Sequence, residues 1–180
     1  MIGATLHAPR LMLRPWRLDE AEIVLDMYSR PDVVRYLGPN PAVLTELAQA
    51  QDRIRRWLTI EGPTHGVWAI VPTGHQHPVG TALLKILPRS GSGAPSGITE
   101  VGWHLHPIAW GHGYATEAGQ RLLQHAWSQG LQRVLAVTYP QNTASQAVCL
   151  RLGMTALGLT ADYYDVSCEL FSIARPETDD

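Results

Sequence analysis

The sequence predicts a single α+β domain, a mixed and mostly antiparallel sheet covered by about four helices. Two observations carry that prediction. Strand-like alternation and helical spacing follow one another in the order β-α-α-β-β-β-α-β-α-β-β, and three strands in succession exclude a doubly wound parallel fold. The chain has 180 residues, 45% of them hydrophobic and 17% charged, which is the size and composition of one domain with its own core. Residues 1–180 are therefore read as one unit, with the acidic stretch 175–180 expected to fray.

The segment Leu11 to Arg17 (LMLRPWR) alternates as a strand does, and Leu18-Asp19-Glu20 offers a capping acid before helical periodicity from Ala21 to Ser29. Pro31, Pro39 and Pro41 break the chain around a short helical VVRYL turn. A second helix is expected from Thr45, a potential cap, to Ile60. HGVWAIV and PVGTALLKIL read as two strands joined by a turn at Gly74, and Pro88 to Gly97, rich in Pro, Gly and Ser, as a mobile hairpin loop. Ile98 to His106 is the next strand, with Glu100, Gly102 and His104 on one face and Val101, Trp103 and Leu105 on the other. Apolar residues recur at helical spacing from Tyr114 to Gln129, where Gly130 supplies the stop. Arg133 to Tyr139 is a buried-type strand, Asn142 or Thr143 caps a helix reaching Leu152, and two strands near 154–160 and 166–174 complete the order.

Composition excludes several functions. No apolar run approaches the roughly 18 residues of a membrane span. The N-terminus lacks the charge pattern, apolar run and cleavage site of a signal peptide, so a cytoplasmic protein is expected. Cys149 and Cys168 have neither CxxC nor zinc-ligand spacing and are expected to be reduced. A net charge of -2 disfavours a nucleic-acid binder. Thirteen of the fourteen basic residues are Arg, Lys85 being the exception, which reads as compositional bias.

The most informative run is HPIAWGHGYATEA, His106 to Ala118. Gly111 and Gly113 lie where a strand passes into a helix, so the backbone can approach a ligand and the free N–H groups of the helix start favour an anion. No GK[ST] follows, and neither a third glycine nor a βαβ context is present, so the site is neither a Walker loop nor a dinucleotide fingerprint.

WGHGYATEA, Trp110 to Ala118, resembles the acetyl-CoA pyrophosphate loop of the GNAT N-acetyltransferases, in the branch that includes the ribosomal-protein N-terminal acetyltransferases. Further matches to that branch run in family order: RLMLRPWRLDEA from Arg10, PDVVRYLG from Pro31, TEVGWHL from Thr99 and NTASQAVCLRLGM from Asn142. The resemblance implies the GNAT fold and an acetyl-CoA-dependent N-acetyltransferase acting on a primary amine, a protein or peptide N-terminus first. A small-molecule amine such as an antibiotic or polyamine, or a non-catalytic acyl-CoA sensor, are the alternatives.

The same resemblance implies the site. Backbone amides of Gly111, His112, Gly113, Tyr114, Ala115 and Thr116 would hold the pyrophosphate, and backbone groups of His104, Leu105 and His106 would take the pantetheine arm, one of them stabilising the thioester oxygen. Asn142 and Ser145 match the N-x-x-S that meets the arm and its thiol end. The tyrosine that commonly protonates the thiolate is replaced by Cys149, so Ser145 becomes the first candidate and Tyr139, Tyr163 and Tyr164 weaker ones. Cys149 itself reads as a buried helix residue.

An alkyl ammonium is almost fully protonated at neutral pH, so a base must take a proton before the amine can attack. Glu100 and His104, on one strand face, are the two candidates, while Glu117 falls where interaction with free helix N–H groups explains it. Acceptor contacts are expected from Tyr36, Trp57, Tyr163 and Tyr164, with Asp162 and Asp165 able to attract a cation. His75/His77 and His104/His106 each lack a third ligand, so no metal is expected. No nucleic-acid or membrane partner is expected, and the branch implies a homodimer.

Overall fold

Eight strands make one sheet in the order β1-β2-β3-β4-β5-β6-β8-β7 in the computed structural model, which describes residues 4–60 and 62–177. The strands are β1 (Leu6–His7), β2 (Leu11–Pro15), β3 (Gly66–Pro72), β4 (Gly80–Pro88), β5 (Pro95–Leu105), β6 (Arg133–Thr138), β7 (Thr155–Thr160) and β8 (Cys168–Ala174). Five α-helices accompany them: α1 (Ala21–Tyr28), α2 (Pro31–Val34), α3 (Leu47–Leu58), α4 (Tyr114–Ser128) and α5 (Thr143–Arg151). This is the predicted α+β class. No helix among the described residues is long and apolar enough to cross a membrane.

Strand alternation sends side chains to two layers. Leu11, Leu13, Ile70, Leu84 and Val101 meet Ala118 and Leu122 of α4 and Val148 and Cys149 of α5 on one face. On the other, Val67, Ala69 and Leu83 meet Val24 and Met27 of α1 and Ala50 and Ile54 of α3. Each large aliphatic side chain removed from water stabilises the fold by about 1.5–3 kcal/mol, so both layers hold the sheet rigidly.

All neighbouring strands are antiparallel except β5 and β6, which pair in parallel through the single register Glu100↔Leu135. Beyond it the two strands part. The site is built in the opening that results.

Several boundaries differ from expectation, each for a local reason. Strand β1 was not foreseen, being two residues long. Helix α3 starts at Leu47 rather than Thr45, because Gln49 Oε1 accepts from the backbone amides of Thr45 (2.7 Å) and Glu46 (3.1 Å), making Glu46 the N-cap. Helix α2 starts earlier than VVRYL, with Pro31 at its first position. Strand β5 reaches back to Pro95, leaving only a short turn in the Pro88–Gly97 segment. That turn is tied down: Ser90 N donates to Asp162 O (2.8 Å) and Gly91 N to Asp165 Oδ1 (2.6 Å). Of the tail expected to fray, residues 178–180 lie outside the described residues.

Candidate active site

A cleft of about 740 Å³ runs through the β5–β6 opening, reaching both faces of the sheet. Its walls include Trp103, His104 and Leu105 of β5, Ala136, Val137 and Thr138 of β6, and Asn142, Ser145 and Arg151 at α5.

Ladder parity decides which backbone groups face the opening. His106 N donates to Val79 O (2.9 Å), which places every second β5 residue, His104 and Gly102 included, in a hydrogen-bonded pair with β4. Trp103 and Leu105 therefore turn their amides toward the gap, and the Leu105 carbonyl already accepts from Trp110 Nε1 (3.0 Å). The backbone expectation is corrected accordingly. Leu105 faces the gap, whereas the amides of His104 and His106 belong to the sheet and Trp103 takes their place.

The loop after β5 ends in two left-handed glycines, Gly111 (φ 77°) and Gly113 (φ 78°), the second being the N-cap of α4. Left-handed backbone disfavours any residue with a Cβ, which explains why glycine stands at both positions. The first intrahelical bond is Glu117 N to Gly113 O (3.1 Å), so the amides of Tyr114, Ala115 and Thr116 have no partner within the helix. Two guanidinium groups add positive charge: Arg10 Nη1 donates to His112 O (3.1 Å), and Arg151 Nε to Thr116 Oγ1 (3.3 Å). The His112 ring stacks on Tyr114 (5.4 Å) outside the cleft.

Glu117 does something other than cap α4. Its carboxylate accepts from Arg10 N (2.6 Å) and Arg10 Nε (2.7 Å), fastening the start of β2 to the loop. Arg10, distant in sequence, was missed by sequence reasoning.

The two candidate bases have different surroundings. Glu100, 5% exposed, accepts a hydrogen bond from the Tyr164 hydroxyl and lies 3.5 Å from Lys85 Nζ. Burial raises its carboxyl, and Lys85 and Tyr164 oppose that rise. His104 Nδ1 lies 2.9 Å from the Tyr28 hydroxyl, which also pairs with Thr81 Oγ1 (3.0 Å). Burial, then Lys85 and Arg53, push His104 down to about 3, which leaves it neutral and weakly basic.

On the α5 side, Asn142 is the N-cap of that helix, its side-chain oxygen accepting from Ser145 N (3.3 Å). Ser145 lines the cleft, and its hydroxyl has no hydrogen-bond partner among the described residues. Thr138 also lines it with a buried hydroxyl lacking any partner among them. Cys149 is fully buried and its thiol is pushed up to about 12 by burial, as suits a core residue.

Of the expected acceptor contacts, Tyr36 and Tyr164 line the cleft. Trp57, half-buried, packs between Trp16 (5.7 Å) and Tyr28 (5.8 Å), and Tyr163 is buried with Leu87 and Leu135, so neither lines the cleft. Neither Asp162 nor Asp165 lines the cleft, which removes them as attractors of a cation there; the Asp165 carboxylate accepts from Gly91 N (2.6 Å), and Asp162 meets the same turn through its backbone carbonyl. Asp32, Arg35 and Lys85 line the same end and carry no sequence signal that marks them.

Residues 10–155 match the family model described as Acetyltransferase (GNAT) domain. The chain belongs to the GNAT acetyltransferase family. It is 29% identical over 172 residues to the uncharacterized N-acetyltransferase p20 of Bacillus licheniformis, covering 94% of this chain and 92% of that protein. Its fold is similar to RimL, a ribosomal L7/L12 alpha-N-protein acetyltransferase solved with coenzyme A (TM-score 0.76, 15% identity, 95% of this chain and 98% of that one). It is similar again to the microcin C7 self-immunity acetyltransferase MccE, solved with acetyl-CoA and AMP (TM-score 0.75, 17% identity, 93% of each chain).

As a GNAT enzyme, the protein is an acetyl-CoA-dependent N-acetyltransferase. Its residues suit that co-substrate: an anion cradle of unpartnered amides flanked by Arg10 and Arg151 lies at one end of a cleft with free backbone amides along β5.

Proposed function

We propose that the enzyme acetylates the N-terminal amine of a protein or peptide by direct attack on the thioester of acetyl-CoA. The observation that carries this reading is the through-sheet cleft. The pyrophosphate cradle and Ser145 lie on its α4–α5 side, while Glu100 and Tyr164 lie on the opposite face of the sheet, so co-substrate and acceptor enter from opposite directions.

In this reading the amides of Gly111, His112, Gly113, Tyr114, Ala115 and Thr116 bind the pyrophosphate, and the gap-facing backbone of Trp103 and Leu105 binds the pantetheine arm. The Leu105 amide donates to the thioester oxygen as it gains charge. Glu100 takes the amine proton, since His104 at about 3 holds a proton too weakly to act as the base. The amine nitrogen forms its bond to the acetyl carbon as the carbon–sulfur bond breaks, the acylated nitrogen gives its remaining extra proton to water, and the Ser145 hydroxyl donates a hydrogen bond to the departing thiolate, which takes its proton from water. Tyr36, Asp32 and Arg35 contact the acceptor. Likeness to RimL supports a peptide acceptor.

Two unbridged, buried thiols support a reducing, cytoplasmic setting. Leu157 and Leu159, 57% and 66% exposed on the edge strand β7, support a homodimer, which light scattering checks.

An acceptor screen by mass spectrometry tests the reading, with acetyl-CoA, a peptide library of varied N-terminal residue and a panel of small amines. Transfer to peptide N-termini is expected. Transfer confined to small amines overturns the peptide acceptor, and cofactor binding without any transfer overturns catalysis.

A further inference from the structure

The sole lysine of the chain stands directly across the sheet from Glu100, in the register Lys85↔Glu100 between β4 and β5. Its ammonium also lies over the Tyr164 ring, 5.1 Å from the centroid. Both neighbours converge on one carboxylate oxygen. Tyr164 donates to Oε1, and Lys85 Nζ is 3.5 Å from the same atom. Oε2 accepts no hydrogen bond among the described residues and is not sealed from the cleft that Glu100 lines.

The loop that delivers Tyr164 is strained and tied down. Tyr164 (φ 60°) and Asp165 (φ 56°) are the two non-glycine residues with left-handed backbone among those described, a conformation costing about 1–3 kcal/mol per residue unless its surroundings enforce it. They are enforced here by Asp165, whose carboxylate accepts from Gly91 N (2.6 Å) and whose amide donates to Ser90 Oγ (3.0 Å). The tied loop brings the Tyr164 hydroxyl to the buried Glu100 carboxylate while the ring packs beside Leu87 and Leu135.

We propose that Lys85 and Tyr164 are positioning residues that clamp Oε1 of Glu100, hold its carboxylate as the anion and leave Oε2 as the atom that receives the amine proton. The last element rests on the proposed role of Glu100 as base; the clamp itself does not. The other groups facing this carboxylate are few. Cys168 of β8 is pushed up to about 11 by burial and by Glu100, so it is a neutral thiol. His104 of β5 is neutral, with Arg53 of α3 acting on it rather than on Glu100. Tyr164 is raised by burial and by Glu100, so it remains a donor. Lys85 is thus the cation that counters burial, an effect of about 1–3 pH units for an opposite charge at this range.

Carbon-13 NMR of protein labelled at the glutamate side-chain carboxyl tests the clamp without turnover, the Glu100 resonance being the one missing from Glu100→Gln. Lys85→Met is expected to raise the Glu100 titration midpoint above the wild-type value by about 1–3 pH units, and Lys85→Arg to restore the wild-type midpoint. Tyr164→Phe is expected to raise it by less, through loss of one hydrogen bond to the charged form. A Lys85→Met midpoint equal to wild type overturns the proposal. If that variant does not fold, Tyr164→Phe decides alone, and an unmoved midpoint overturns it. A Glu100→Gln enzyme with full transfer rate would defeat the base role and leave the clamp standing.

Discussion

The Tyr28 hydroxyl lies 2.9 Å from Nδ1 of His104 and 3.0 Å from Thr81 Oγ1, binding helix α1 to strands β4 and β5 beneath the cleft. Burial, then Lys85 and Arg53, disfavour an imidazolium here, His104 falling to about 3, while burial pushes the Tyr28 hydroxyl up to about 12. A neutral histidine in the folded state has a consequence for stability. Below pH 6.5 the unfolded chain binds a proton at His104 that the folded chain refuses, so stability is present above 6.5 and is lost as pH falls toward 3. His65 and His125, both lowered chiefly by burial, act in the same sense. Glu100, raised by burial, acts oppositely. Thermal unfolding between pH 7 and 4 should show the loss, with His104 supplying up to about 1.4 kcal/mol per pH unit. His104→Gln should flatten the slope, and an unchanged slope would contradict the assignment.

Gly113→Glu should abolish binding of acetyl-CoA. The position has left-handed backbone, its Cβ would stand 3.5 Å from an Arg10 Nη, and a carboxylate there repels a pyrophosphate. Isothermal calorimetry should give heat with the wild type and none with the variant, while circular dichroism shows the fold retained.

Cys149 should carry no acyl group. A thiol pushed up to about 12 is not a thiolate at neutral pH. Intact-protein mass spectrometry after incubation with acetyl-CoA should find it unmodified, and Cys149→Ala should keep the transfer rate.

Ser145→Ala should lower kcat by about 10- to 100-fold, the loss of one hydrogen bond to a charged leaving group. The affinity for acetyl-CoA, measured by calorimetry, should persist because the cradle at Gly111–Thr116 is untouched. An unchanged kcat would remove Ser145 from the mechanism and turn attention to the buried, unpartnered hydroxyl of Thr138.

The local parts of this enzyme were legible in its sequence, and the parts set by distant contacts were not. Gly111 and Gly113 marked the start of α4, and Asn142 that of α5, because backbone conformation and capping are properties of a few consecutive residues. The pairing of Glu117 with Arg10 spans 107 positions, and no periodicity announces it. Lys85 meets Glu100 only because the hairpin register pairs them. The same register decides that Trp103, rather than His104 or His106, turns its backbone to the gap. Aromatic residues were the least legible. Tyr36 and Tyr164 line the cleft while Trp57 and Tyr163 pack against hydrophobic clusters away from it, and the residue type is equally suited to both.

The most direct test of the account is the rate of acetyl transfer by Glu100→Gln, measured across pH at saturating acetyl-CoA with the peptide acceptor found by library screening. The variant keeps the shape of the side chain and loses only its capacity to take a proton. The account predicts a fall in kcat of at least about 100-fold, as for loss of a general base, with calorimetric affinity for acetyl-CoA retained. A Glu100→Gln enzyme that transfers acetyl groups at the wild-type rate, with the same acidic limb in its pH profile, would contradict it.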